Sequence, residues 1–267
     1  MLVSTDSRAL KLQDFFEKTY IINLPERTDR RREVAAELNM IGMPLRQGKV
    51  EIFSAIRPND SLAFPSTGVL GCFLSHLAIL KQASKERLSS VLIIEDDITF
   101  SKGFKSLESC LVDLLMQQDW SIVFLGFNPY QGYSYSDYCS KDVECLGDQS
   151  VTLKRCTLPP AGSHFYGVKG SSLAPLIDYL DSFLEKRQRE EFTTTEGGLV
   201  LDGAYYDTVL HLFKQQIPGV TSLIACPSLG AQRSSRSDIT PSKLDQLPIP
   251  TPLVKALRVV KRQFSRM

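Results

Sequence analysis

No stretch of this chain approaches the roughly 20 consecutive apolar residues that cross a bilayer as a helix. Its opening, Met1 to Arg8, has no basic segment running into an apolar one, so the expectation is a soluble, non-secreted, cytoplasmic protein. Neither sign of charge is in excess: 31 Lys and Arg stand against 30 Asp and Glu, a formal net charge of +1. The polycation character that drives nucleic-acid binding is therefore missing, and no nucleic acid is expected as a partner. Six cysteines are present but no Cys-x-x-Cys pair, which takes away the usual signature of structural zinc. Cys72, Cys110 and Cys226 lie in apolar surroundings and read as buried core thiols. Cys139, Cys145 and Cys156 punctuate a polar, Gly- and Tyr-rich segment, where one disulfide or a facultative metal site stays open.

What is present is a 43% apolar composition over 267 residues, enough for one large α/β domain or two small ones without staples. The most informative segment is Val91-Leu92-Ile93-Ile94-Glu95-Asp96-Asp97, an apolar run that ends in three carboxylates. Like charges crowded at a strand end repel one another and resist desolvation, so a cation is the expected counter-charge. Glu95 and Asp97, one residue apart, can both reach one hard, oxygen-ligated ion, Mn²⁺ or Mg²⁺, bridging a diphosphate. Asp96 is left to face elsewhere or to hold the sugar and ribose of a donor.

The apolar pattern predicts strands over residues 19–24, 50–55 and 91–94 and helices over 30–39 and 75–85, the first helix with Val34, Ala35 and Leu38 on one face. A helix over 104–117, strands over 120–125 and 164–168, and a helix over 172–183 with Pro175 in its first turn follow. Residues 185–191 read as a charged, solvated connection. Such alternation predicts an α/β, Rossmann-type, mostly parallel central sheet flanked by helices, with ligands beyond the carboxyl ends of the strands. The acidic triplet sits at such an end. Tyr130, Tyr133, Tyr135 and Tyr138 are expected to be exposed, in a segment that is either a surface hairpin or a lid and acceptor platform.

A second acidic site follows Gly197 and Gly198. Asp202 either caps a helix starting near Ala204 or does chemistry, and Asp207 lies beyond it with His211 four residues on. From Thr240 the chain is punctuated by Pro241, Pro248, Pro250 and Pro252. The end carries Lys255, Arg258, Lys261, Arg262 and Arg266 interleaved with Leu253, Leu257, Val259, Val260 and Phe264. The expected organisation is a catalytic domain over 1–240 and a connector with a basic amphipathic tail over 241–267. That tail either touches an anionic membrane face or a partner, or solubilises the terminus.

Several elements, in this order and spacing, resemble glycosyltransferase family 25, the group of bacterial lipooligosaccharide galactosyltransferases and collagen galactosyltransferases. They are Tyr20-Ile21-Ile22-Asn23 with Arg27, Arg30 and Arg31, then Gly68, Gly71, Cys72, Ser75 and His76, then Glu95-Asp96-Asp97. Further matches are Trp120 to Gly126, Gly162 to Tyr166, Asp202, and Pro227 with Gln232 and Ser237-Asp238-Ile239, so the resemblance spans residues 19–239. It implies a GT-A-like fold, a UDP-sugar donor such as UDP-galactose, Mn²⁺ and inversion at the anomeric carbon. Carried onto this sequence, Glu95, Asp96 and Asp97 become the metal and donor motif. Asn23, Arg27 and Arg30 lie at the first strand end where a nucleotide docks, Arg30 also reading as a surface helix residue. Ser75 and His76 match the family's Ser-His pair, with bracing of the nucleotide loop as an equal reading for His76.

Displacement at C1 requires a carboxylate to take the acceptor proton. Asp202 is the first candidate and Asp207 the second. His164 is a candidate for positioning donor or acceptor, and Phe165 and Tyr166 either stack on sugar or pack. No leader, retention signal or partner catalytic domain of the collagen enzymes is evident, so a saccharide or lipid-linked glycan acceptor, reached from the inner membrane face, is expected ahead of a collagen-like hydroxylysine. The rival readings are a metal-dependent phosphohydrolase, a sugar-nucleotide-binding module that has lost catalysis, and a nucleotidyltransferase. The last needs a glycine-rich phosphate loop where this chain has Pro25-Glu26-Arg27.

Overall fold

A computed structural model describes residues 10–130, 132–139, 150–189 and 205–233. Seven strands form one sheet: β1 (Lys18–Asn23), β2 (Val50–Ser54), β3 (Ser90–Glu95), β5 (Ile122–Asn128), β6 (Thr152–Arg155), β7 (Ala161–Lys169) and β8 (Ser222–Cys226), in the order β2-β1-β3-β7-β5-β8-β6. A separate two-stranded ribbon pairs β4 (Ile98–Phe100) with β9 (Gly230–Gln232). The helices are α1 (Leu12–Phe15), α2 (Thr28–Ile41), α3 (Thr67–Lys85), α4 (Phe104–Gln117), α5 (Tyr135–Tyr138), α6 (Gly170–Gln188) and α7 (Tyr206–Gln216).

The α/β expectation holds, but the sheet is mixed rather than mostly parallel. The pairs β1·β2, β1·β3 and β5·β8 are parallel, whereas β3·β7, β5·β7 and β6·β8 are antiparallel. After β5 the chain forms β6 at the far edge of the sheet, beside β8, and only then enters β7, with Ala161 opposite Asn128, so β7 runs antiparallel between β3 and β5. This insertion decides where the site forms. The start of β7 lies beside the end of β3, Phe165 opposite Ile94, while the end of β1 flanks β3 on its other side, Ile22 opposite Glu95.

Strict alternation along the strands feeds two cores. Tyr20, Val91, Ile93, Phe124, Tyr166 and Ile224 face α3, α6 and α7. Ile21, Leu92, Ile94, Val123, Phe165 and Leu223 face α1, α2 and α4. Burial on both faces explains why these strands read as continuous apolar runs.

Helix α3 begins at Thr67, well before the expected start at Ser75. Ser66 caps it by accepting from the Val69 N–H at 3.2 Å. Gly71, which breaks the apolar pattern, is needed because a Cβ there would come within 2.6 Å of the Ile56 carbonyl. Residues 185–188, expected as a connection, continue α6. Cys226 is not a free core thiol: it is joined to Cys139, with Cα atoms 5.6 Å apart, tying α5 to the end of β8. Cys156 is buried and its thiol is pushed up to about 12 by burial, so it is inert. Tyr138, expected exposed, is buried and donates to the Pro159 carbonyl at 2.5 Å. Asp202, Cys145, the Ser237-Asp238-Ile239 element and the tail from Leu253 lie outside the described residues.

Candidate functional site

The turn Glu95-Asp96-Asp97 between β3 and β4 lines a cavity together with Arg30, Cys72, Ser75, His76 and Gln232. Its three carboxylates are held in three different ways. Asp96 is saturated: Asn23 Nδ2 donates to Oδ2 at 2.6 Å and Arg30 donates to Oδ1 at 3.0 Å. Burial raises this carboxyl above its ordinary value, with the Arg30 charge opposing.

Asp97 is not saturated. Its Oδ2 lies 3.7 Å from Arg30, while Oδ1 is buried with no hydrogen-bond partner among the described residues. Burial, then the neighbouring Glu95 charge, pushes the carboxyl up to about 7. A buried carboxylate oxygen without a donor is costly unless a cation arrives, so the chemistry of this turn fits a divalent ion on oxygen ligands.

Glu95 is held by Ser163 Oγ, which donates to Oε1 at 3.0 Å, and by Gln232 Nε2, which donates to Oε2 at 3.1 Å. His76 Nε2 lies 3.5 Å from Oε1. Burial acts to raise this carboxyl, but the His76 contact and charge, with His164 and Ser163, outweigh it and hold it below the ordinary value. The ribbon β4·β9 clamps the turn from outside. The Arg233 N–H donates to the Asp97 carbonyl at 2.7 Å, and its guanidinium donates to the Asp96 carbonyl at 2.6 Å.

On the opposite wall, His76 is fully buried, stacked on Tyr206 with ring centroids 4.2 Å apart, its Nδ1 3.0 Å from the Tyr166 hydroxyl. The Tyr166 hydroxyl is in turn 3.0 Å from that of Tyr206. The Cys72 sulfur, a ring nitrogen of His76 and a Glu95 oxygen lie within 4.8 Å of one another. Burial, then the Glu95 and Asp207 charges, keeps the Cys72 thiol well above its ordinary value, so it is not a free nucleophile.

The remaining residues singled out from the sequence fall as follows. Ser75 spends its hydroxyl inside the protein, donating to the Gly71 carbonyl at 2.6 Å and accepting from the Ile56 N–H at 2.8 Å, which pins α3 to the segment after β2. Arg27 turns its guanidinium to Asp29 at 3.1 Å at the start of α2, and its carbonyl accepts from Asn23. Asp207 accepts from the Gly162 N–H at 2.5 Å and from the Thr208 N–H at 2.8 Å, linking α7 to β7; burial, its largest influence, raises its carboxyl. His164 is fully buried, with Nε2 3.3 Å from the Gly230 carbonyl, and burial lowers its basicity. Phe165 and Tyr166 are fully buried and offer no face for sugar stacking.

Sequence reasoning passed over Cys72 as a ligand, and Ser163 and Arg233 as partners of the turn. The signal for Cys72 was its spacing of four from His76, which puts both on one face of a helix.

Among the described residues, no helix is long and apolar enough to cross a membrane. The family model described as "Glycosyltransferase family 25 (LPS biosynthesis protein)" matches residues 16–172. Human procollagen galactosyltransferase 2 is 28% identical over 45% of this chain and 18% of its own length. Procollagen galactosyltransferase 1 of Danio rerio is 33% identical over 42% of this chain and 21% of its own length. The human "Inactive glycosyltransferase 25 family member 3" is 27% identical over 42% of this chain and 22% of its own length. The matches span about a fifth of the length of these curated relatives.

Proposed function

This chain belongs to glycosyltransferase family 25, and on that premise we propose that it transfers a hexose from a nucleotide-diphosphate sugar to an acceptor hydroxyl, with a divalent cation held by Glu95 and Asp97. The observation that carries the reading is the buried Asp97 Oδ1, without a partner among the described residues, in the wall of the cavity. A bound Mn²⁺ or Mg²⁺ supplies compensation for the negative charge that develops on the departing diphosphate. Asn23 and Arg30 fix Asp96, and Arg233 fixes the turn backbone, so the acidic groups are set before substrate arrives. Within a GT-A-like architecture, UDP-galactose is the donor we test first, because the curated relatives are named galactosyltransferases. Asp202 is proposed as the base that takes the acceptor proton, with Asp207 the second candidate.

Two acceptors are in play. A saccharide acceptor agrees with the family description. The names of the curated relatives favour the alternative, a protein hydroxyl of the collagen hydroxylysine kind. The inactive relative keeps a third reading alive, a binding module without turnover.

Calorimetry with UDP, GDP, CMP and UDP-sugars, with and without Mn²⁺, separates these. Metal-dependent binding of UDP supports the donor class, and no nucleotide binding across the panel overturns it. Transfer to a hydroxylysine peptide against a glycan acceptor then assigns the acceptor. Asp202→Asn is expected to keep donor affinity and lose transfer, and wild-type transfer removes Asp202 as the base. Truncation before Leu253 tests the tail: it should spare transfer to a soluble acceptor and weaken association with anionic liposomes.

A further inference from the structure

Cys72 and His76 lie four residues apart on α3 and share the helix face that looks across the cavity at Glu95. We propose that Cys72, His76 and Glu95 form a second cation site, selective for a thiophilic divalent ion such as Zn²⁺, which draws Glu95 away from the oxygen-ligand position at Asp97. The donor set carries the choice of ion. A thiolate, an imidazole and a carboxylate with an open fourth position suit zinc, whereas Mn²⁺ and Mg²⁺ keep to oxygen ligands. Spacing agrees: the three donor atoms lie within 4.8 Å of one another and the His76–Glu95 pair is 3.5 Å apart. Bonds of about 2.0–2.3 Å require donor separations of roughly 3.3–3.8 Å, so the His76–Glu95 pair is already at the required spacing and the sulfur closes by at most about 1.5 Å.

The imidazole is already set for this role. Its outer nitrogen, Nδ1, meets the Tyr166 hydroxyl at 3.0 Å, and that hydroxyl meets Tyr206 at 3.0 Å, the outer-shell support a metal-bound histidine requires. With Nε2 on a metal, the Nδ1–H donates to Tyr166, whose O–H donates to Tyr206. Among the described residues Nε2 itself has only long contacts, 3.4 Å to Ser163 Oγ and 3.5 Å to Glu95, so no short hydrogen bond must be broken. Binding forms the metal–sulfur bond and releases the Cys72 thiol proton to solvent, with no change of oxidation state. The existence of the site is independent of the transferase reading. Its consequence, Zn²⁺ opposing Mn²⁺ through the shared Glu95, rests on that reading.

The test uses the full chain, Zn²⁺ measured by chelator competition, Co²⁺ by its thiolate charge-transfer absorption, and Mn²⁺ by the electron paramagnetic resonance of the free ion. One tight Zn²⁺ is expected, with Cys72→Ser weakening it more than about 100-fold and removing the cobalt band, and Asp97→Ala leaving both in place. His76→Gln, a second variant, should weaken Zn²⁺ likewise. One bound Zn²⁺ should lower Mn²⁺ affinity at least tenfold in the wild type and not in Cys72→Ser. Unchanged Zn²⁺ affinity and cobalt band in Cys72→Ser, loss of Zn²⁺ in Asp97→Ala, or Mn²⁺ affinity indifferent to bound Zn²⁺ would each overturn the proposal. Absence of UDP binding with the cobalt band intact defeats the transferase reading alone.

Discussion

Two walls of one cavity keep polar groups buried by opposite means. The wall from β1, α2 and β9 is ionic: Arg30, Asn23 and Arg233 surround Asp96 and Asp97 with charge-assisted donors. The wall from α3, β7 and α7 is aromatic, with His76, Tyr166 and Tyr206 satisfying one another and both tyrosine hydroxyls kept protonated by burial. Glu95 stands between them and takes hydrogen bonds from Ser163 and Gln232. The difference teaches where binding capacity resides. On the ionic wall Asp96 is saturated and Asp97 is left short of a donor, so attraction for a cation is concentrated at one oxygen. The aromatic wall fixes an imidazole between two tyrosines, by stacking on one and by a hydrogen bond to the other.

Removing the short-handed carboxylate should break this contrast most completely. Asp97→Ala is expected to lower Mn²⁺-dependent UDP affinity by about 1,000-fold, roughly 4 kcal/mol, with the thermal midpoint unchanged or raised because a buried, repelled charge is gone. Calorimetry and a melting curve check the two halves, and retained metal-dependent affinity would defeat the assignment. Next in size is Arg30→Met. It leaves Asp96 buried beside Asp97 without its ion pair, a loss of about 3 kcal/mol, to be read as a lower urea midpoint at constant slope.

How much of this was legible depended on whether the residues that make the contact are close in sequence. Glu95, Asp96 and Asp97 stand out because an apolar run ends in three acids within one heptapeptide, and Asn23 and Arg30 follow from lying at the next strand end. The mixed sheet was hidden: nothing in the apolar segment around Phe165 and Val168 states its direction, which is set by where the chain returns after β5. Arg233 was hidden for the same reason, since a two-stranded ribbon of three-residue strands leaves almost no periodic signal, yet it brings residue 233 against residue 97. The Cys139–Cys226 pairing escaped because residues 87 apart in sequence meet only through the fold. The tyrosine segment was misjudged in part: Tyr138 turns inward where its hydroxyl finds a carbonyl, a choice that composition does not reveal.

Acidity sharpens the comparison through Asp97. The Asp97 carboxyl sits at about 7, above its ordinary 3.8, so the folded state holds this proton more tightly than the unfolded chain does. Without a cation, its contribution to stability therefore falls as pH rises from about 4 to about 7. A cation competes with that proton, so Mn²⁺ affinity should drop by up to about tenfold per unit as pH falls below about 7, about 1.4 kcal/mol per unit. A Mn²⁺ titration across this range checks it, and a flat profile would mean that Asp97 is not a ligand.

The smallest change tests the aromatic wall. Tyr166→Phe keeps the packed ring against Phe124 but removes the hydroxyl shared by His76 and Tyr206, leaving two buried polar atoms each short of one partner. The expected cost is about 2 kcal/mol of stability, about 1 kcal/mol for each of the two buried groups left short of a partner, while the cavity left is one oxygen in size. Because the Tyr166 hydroxyl, raised well above its ordinary value by burial, does not ionise in this range, the cost of removing it should stay constant where the Asp97 effect varies with pH. Denaturant unfolding at two pH values reads the difference directly. A cost that changes with pH as the Asp97 effect does would show that the two walls act as one unit and would end the contrast between them.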